Sequence, residues 1–275
     1  MNGLVPHNAV VADIRALTSS VQSLTLKTKL PFSYMPGQFI MVTRYGHGEL
    51  AAAITSVPRS WSAVRKKEKE NKNIHTTESF EISAEGPFFN CPIGTVLGIR
   101  GPFGSAINPN NLTGKNLLFF ASGPDSAALF PLIRCAAERC SDFSQVTIYT
   151  ESEFSGEYLF KKDIPAWDSC PNIKTVRIAH RTDPADTAER IYSSMNALRI
   201  NPERTVCFTA MPKEKTLPVI HIISGKFIKP ENIYVHVRKQ MHCAAGICGQ
   251  CKTGSIHTCT DGPITQLSLL PEMRK

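Results

Sequence analysis

The segment CAAGICGQCKTGSIHTC, running from Cys243 to Cys259, holds four of the nine cysteines of this 275-residue chain. Their spacing is C-x4-C-x2-C-x7-C. In a reducing compartment such a group is metallic or catalytic. Zinc sites usually come as C-x2-C pairs. Here the first gap is four residues, and C-x4-C-x2-C is an opening used by [2Fe–2S] sites. Ala244, Ala245, Gly246 and Gly249 are small. They allow the backbone to wrap closely, and glycine supplies the positive φ angles that a wrap demands. The spacing therefore points to a [2Fe–2S] cluster on Cys243, Cys248, Cys251 and Cys259, with zinc as the alternative. His242 and His257 flank the cysteines. Four thiols already suffice, so His257 is read as a hydrogen-bonding neighbour rather than a ligand.

The thiols are expected to be reduced. The opening MNGLVPHNAVVADIRAL lacks the basic start and apolar run of a signal peptide. No stretch approaches the ~20 apolar residues that span a bilayer. The expected location is cytoplasmic, where disulfides are rare. Cys91, Cys135, Cys140, Cys170 and Cys207 then read as small buried hydrophobes. The net charge is +8 and the pI about 9.0, but the basic residues are scattered. That pattern fits a solvated surface or an acidic protein partner, and no nucleic-acid element accompanies it. No Ser/His/Asp set, phosphate loop or paired-carboxylate signature stands out.

Along the chain, AVVADIRALT, VQSLTLKTKL, GQFIMVTR, AAAITSV, SFEISAEG and GTVLGIRG read as short strands cut by turns, which suits a sandwich or barrel. The charged segment 59–79 reads as an exposed loop inserted among them. From Asn116 the rhythm changes. NLLFFAS is apolar throughout, as in a strand buried on both faces. Helical patterns, the first over Ser126–Glu138, then alternate with QVTIYT, KTVRIAH, TVCFTA and NIYVHV, which predicts a parallel α/β sheet. The fold class is thus a β-barrel plus α/β. Residues 1–113 form an antiparallel barrel, 114–236 an α/β domain, and 237–275 the cluster-binding segment.

That order, together with YMPGQFIMV (Tyr34–Val42), GIRGPFG (Gly98–Gly104) and MHCAAGICGQCKTGSIHTCTDGPI (Met241–Ile264), resembles the ferredoxin–NADP reductase superfamily. Within it, the chain is similar to the electron-transfer subunits of dihydroorotate dehydrogenase, the gamma subunits of sulfhydrogenases and the B subunit of anaerobic sulfite reductase. The resemblance implies a relay in an oxidoreductase subunit. A reduced nicotinamide gives hydride to FAD between barrel and α/β domain, and FAD passes single electrons to the cluster. The cluster in turn faces a catalytic or electron-accepting partner subunit. Carried over residue by residue, the flavin contacts fall on Ala53, Ile54, Thr55, Gly86 and Gly101.

The sequence departs from that pattern at both nucleotide sites. In GELAAAITSV, Ala51 takes the place of a proline and Ala53 that of a hydroxyl residue, while Thr55 and Ser56 remain. In EGPFFN, Gly86 remains, but Phe89 stands where a hydroxyl would meet the diphosphate. Two missing hydroxyls cost about 1 kcal/mol each, and backbone contacts are expected to keep FAD. The pyrophosphate turn reads ASGPDSAA. Pro124 has no N–H to give, and Asp125 brings negative charge toward phosphate. Asp125 or Ser122 reads instead as a helix cap. Ala210 and Met211 replace a Cys-Gly-Pro segment near the nicotinamide. Direct NAD(P)H oxidation is therefore not expected. The alternative is a structural or docking iron–sulfur subunit that has lost both nucleotides.

Overall fold

A computed structural model describes residues 4–58, 77–152, 156–179 and 184–274. The loop reading of 59–79 lies outside the described residues as far as position 76. From Thr77 the chain is already strand.

Six strands form the first domain: β1 (His7–Ala16), β2 (Val21–Phe32), β3 (Phe39–Arg44), β4 (Gly48–Ala53), β5 (Thr77–Glu85) and β6 (Val96–Phe103). The sheet is antiparallel with order β4-β3-β6-β1-β2-β5. Its two edge strands meet. Ile54, just past β4, bridges to Ile82 on β5, and Thr55 N–H donates to Glu81 O at 2.9 Å. A closed sheet has no free edge. Period-two alternation fills it: on β2, Leu24, Leu26 and Thr28 are buried while Lys27 and Lys29 are exposed. Leu24, Leu26, Ile40, Val42, Phe80 and Ile82 meet in one core.

The second domain is a sheet of order β14-β11-β10-β7-β8-β9, with β14 the late strand Ile264–Gln266. Its parallel strands are β7 (Asn116–Ser122), β8 (Gln145–Glu151), β9 (Ile173–Ile178), β10 (Thr205–Ala210) and β11 (Ile233–His236). The apolar run of β7 serves both faces. Leu117 and Phe119 pack with α1 (Phe130–Glu138) and α2 (Ile164–Asp168). Leu118 and Phe120 pack with α3 (Pro184–Asn196) and α4 (Lys213–Ser224). Helices on both faces are what a parallel sheet requires. The helix expected from Ser126 begins later. Pro124–Leu129 form 3-10 turns, and the α-helix starts at Phe130.

The C-terminal segment does not hang free. After a short hairpin, β12 (Lys252–Thr253) with β13 (Ile256–His257), and a turn of helix, α5 (Thr258–Asp261), it returns as β14 (Ile264–Gln266). That strand pairs antiparallel with β11, and Leu267 and Leu270 then enter the α/β core. On the way it crosses the barrel, where Gly262 O accepts Ser105 N–H at 2.6 Å. Among the described residues no helix is long and apolar enough to cross a membrane.

Gly104 sits at that crossing with φ of 86°, and a Cβ built on it would collide with Gly262 O and meet Pro263 Cδ at 2.9 Å. Changing Gly104→Ala should therefore cost about 1–3 kcal/mol, a typical cost of forcing a side chain into sparsely allowed backbone. Urea unfolding measures it. The same substitution at Gly46, whose φ is 81° with nothing within 4 Å, should cost less and serves as the control for strain without the clash.

Candidate functional site

Beyond β11 the chain leaves the sheet along the seam between the domains. Val237 to His242 line that seam, and Cys243 is the next residue. The loop then coils tightly, with Ala244, Gly246 and Gly249 at φ of 57°, 73° and 73°. The coil turns amides toward sulfur. Ala245 and Cys248 N–H each lie 3.4 Å from Cys243 Sγ, and Gly246 N–H lies 3.2 Å from Cys259 Sγ. Burial pushes the Cys243 thiol up, but amide donation from Cys248, Ala245 and Ile247 outweighs it and holds the group at about 6. Cys259 is buried, and that burial, with the Cys251 thiol beside it, pushes it up to about 12. The four thiols thus form two neighbouring pairs, Cys243 with Cys248 and Cys251 with Cys259. Cys248 is exposed and Cys251 buried. Two thiol pairs with amides aimed at sulfur suit a group with two metal atoms. Among the described residues no group of three or more His, Cys, Asp or Glu side chains is disposed to hold a metal ion.

The inner wall of the loop is built by the barrel. Phe39, Met41, Met241 and Ala244 pack around Cys251 and Cys259. Beside them lies Arg100 of β6, only 8% exposed. Its Nε and Nη2 donate to Glu49 of β4 at 2.9 and 2.5 Å. Its Nη1 donates to Cys243 O and its Nη2 to His242 O, both at 3.1 Å. Thr43 Oγ1 adds a bond to Glu49 at 2.8 Å. The Arg100 contact holds the Glu49 carboxyl below its usual range.

On the other side of Glu49 opens a cleft of about 410 Å³ between the two domains. Its walls include Ala51–Ala53 of β4, Glu85 of β5, Phe89, the 3-10 turn at Pro124, and residues 236–242. The sequence-expected flavin contacts divide here. Ala53 lines the cleft. Ile54 and Thr55 sit behind it in the barrel wall, and Thr55 Oγ1 is buried without a hydrogen-bond partner. Gly86, with φ of 81°, turns the chain between the lining residues Glu85 and Phe89. Gly101 lies on β6 and is not among the lining residues. Arg238 spans the mouth, reaching Glu85 at 2.9 Å and Asp125 at 3.4 Å.

The carboxyl edge of the parallel sheet holds what the sequence reading missed. Glu151 ends β8 and is 3% exposed. It accepts Ser122 Oγ at 2.6 Å and Thr187 Oγ1 at 3.0 Å, and pairs with Lys215 Nζ at 2.6 Å. In open α/β sheets this edge, where strand order reverses, is the ligand crevice. Here side chains of β7, β8, α3 and α4 meet across it. The capping role expected for Ser122 or Asp125 is corrected: Ser122 is engaged with Glu151, Asp125 with Arg238, and Gly123 begins the turn with no side-chain cap. A sheet-end serine is drawn to a buried carboxylate in preference to a solvent-facing turn. The reading of five buried cysteines is corrected as well. Cys91, Cys135 and Cys207 are buried, but Cys140 and Cys170 are half-buried, because they sit in turns just after α1 and α2.

No family model matches the chain. By sequence it is 24% identical over 275 residues to the sulfhydrogenase 1 gamma subunit of Pyrococcus furiosus, covering 94% of this chain and 89% of that protein. It is 27% identical over 269 residues to a protein of Archaeoglobus fulgidus described as the probable dihydroorotate dehydrogenase B (NAD(+)) electron transfer subunit, covering 95% and 97%. In three dimensions it matches a variant of ferredoxin–NADP+ reductase from Plasmodium falciparum with a TM-score of 0.67 at 15% identity, over 86% of this chain and all of that one. It also matches an NADH-dependent reduced ferredoxin–NADP oxidoreductase with a TM-score of 0.62 at 16% identity, over 98% and 90%. The chain thus has a fold like that of ferredoxin–NADP reductases, and its sequence relatives are named as a gamma subunit of a sulfhydrogenase and as a probable electron transfer subunit of dihydroorotate dehydrogenase B.

Removing one partner of a buried ion pair typically costs about 3–5 kcal/mol, because the other charge is left uncompensated. Lys215→Met should therefore destabilise the α/β domain by that order. Pairing it with Glu151→Gln should recover part of the loss, since the stranded carboxylate is gone. Urea unfolding of both single variants and the double closes the cycle.

Proposed function

We propose that the chain is an electron-transfer subunit that relays electrons between a flavin in the interdomain cleft and a partner protein, through a [2Fe–2S] cluster held by Cys243, Cys248, Cys251 and Cys259. The observation that carries this reading is continuity. The wall of the cleft ends at His242, and the first cysteine of the paired-thiol loop follows it directly.

Flavin, when bound, converts a two-electron donor into one-electron steps. The chain's own residues supply the setting. Ala51–Ala53 and Phe89 give the cleft an apolar floor, and Glu49 closes it on the cluster side. Amide donors of the loop stabilise thiolate sulfur, and the apolar packing of Cys251 and Cys259 keeps water from one pair. Exposed Cys248, with Ile247 beside it at 77% exposure, gives the other pair an outward face for a protein partner. The sequence relatives are named as subunits, which supports a hetero-oligomer.

Nicotinamide is not assigned to this chain. Pro124 lacks an N–H at the pyrophosphate turn, and the Glu151–Lys215 pair occupies the sheet edge where a dinucleotide would lie. Electrons then enter or leave through a partner. The same features favour a second reading, in which the flavin too is lost and the chain only docks and holds its cluster. Flavin content separates the two.

Anaerobic purification should yield about two irons and two sulfides per chain, with FAD present under the first reading and absent under the second. Cys248→Ser should remove the cluster's share of the visible absorption and abolish the cluster's EPR signal in the reduced protein. A chain carrying only zinc sinks both readings. Calorimetry should detect no tight binding of NADH or NADPH. Micromolar binding accompanied by rapid bleaching would overturn the nicotinamide assignment.

A further inference from the structure

Arg100 is out of place by the logic of its strand. VLGIRGPF is apolar on both sides of it, and the residue is 8% exposed. A buried cation is costly unless paired and hydrogen-bonded. Arg100 meets that cost completely. One edge of its fork takes both Glu49 oxygens, and the other reaches the consecutive carbonyls of His242 and Cys243. Packing alone gives no reason for this choice, since an apolar side chain of similar volume is often as stable as a buried ion pair. The two carbonyls it selects bracket the first cysteine. The carboxylate that backs it belongs to a residue lining the cleft.

We propose that Arg100 is the positioning residue of the thiol loop. It clamps the main chain at Cys243 to the cleft-side strand and orders charge across the gap, carboxylate toward the cleft and guanidinium toward the sulfurs. The proposal rests on the iron–sulfur reading above. Reduction adds one electron to an already anionic centre. The positive end of the pair lies on the loop side, so it favours the reduced form. Removing the cation leaves Glu49 as a bare negative charge near the loop and disfavours reduction. Removing the carboxylate leaves Arg100 unbalanced and favours it. The two ends of one pair thus act with opposite signs. A clamp with no electrical role has no reason to produce that.

The test uses the whole protein, purified anaerobically and reconstituted with iron and sulfide, with the cluster midpoint read by EPR during a redox titration. Glu49→Gln should raise the midpoint and Arg100→Met should lower it. Each shift should correspond to tenfold or more in the reduction equilibrium, or about 59 mV for one electron. Arg100→Lys keeps the charge and should stay within about threefold of wild type. If Arg100→Met fails to hold iron while Arg100→Lys holds it, the clamp stands, and Glu49→Gln alone carries the sign test. Shifts of the same sign, or an unmoved midpoint at full iron content, overturn the inference while leaving the iron–sulfur reading intact. A wild-type chain with no iron–sulfur signal removes that reading and this inference with it.

Discussion

The architecture turns on one return of the chain. After the barrel and most of the parallel sheet are complete, the C-terminal segment goes out along the seam and comes back to pair with β11. It touches both domains on the way, through Ser105 N–H to Gly262 O on the barrel side and through Leu267 and Leu270 in the α/β core. Val21 of the barrel also packs into the α/β core, with Leu17 and Ala53 against it, while ion pairs across the seam, such as Arg134 with Glu81, contribute little alone. Apolar burial and a backbone hydrogen bond at the crossing therefore hold the cleft and the thiol loop in one frame.

Much of this was legible in the sequence, for reasons that differ by element. The continuous apolar run of β7 announced a strand buried on both faces, and the structure places successive residues in opposite cores. The cysteine spacing and its small neighbours announced a tight loop, and four positive φ angles fall between Cys243 and Cys259. Other features were not legible. Glu151 and Lys215 lie far apart in the chain and look like ordinary charges at the ends of elements. Only the meeting of β8 and α4 makes them a buried pair. Arg100 did leave a trace, as a charge in the middle of an apolar strand, but its partners come from β4 and from the loop. The helix start was misjudged because Ser126–Leu129 have helical periodicity yet follow Gly123 and Pro124, which set a tighter turn.

At the carboxyl edge of the α/β sheet, polar side chains from separate elements satisfy one another. Strand order and crossovers are those of a nucleotide-type sheet. There Ser122, Thr187 and Lys215 all converge on Glu151. A buried carboxylate satisfied by three donors makes a self-contained unit that asks nothing of a ligand. The interdomain cleft is different in kind. Its β4 wall includes three consecutive alanines, Thr55 Oγ1 behind it has no partner, and at its mouth the exposed Arg238 pairs with Glu85 and Asp125.

The thiol loop is also a closed excursion. It leaves from a strand paired at His236 and ends on a strand paired at Ile264, and those two residues face each other in one ladder. The entropy of bringing the ends of a long loop together is thus met by sheet formation. A small domain organised by its metal alone has no such closure and unfolds when the metal leaves. Here the ladder that joins His236 to Ile264 closes the excursion by itself.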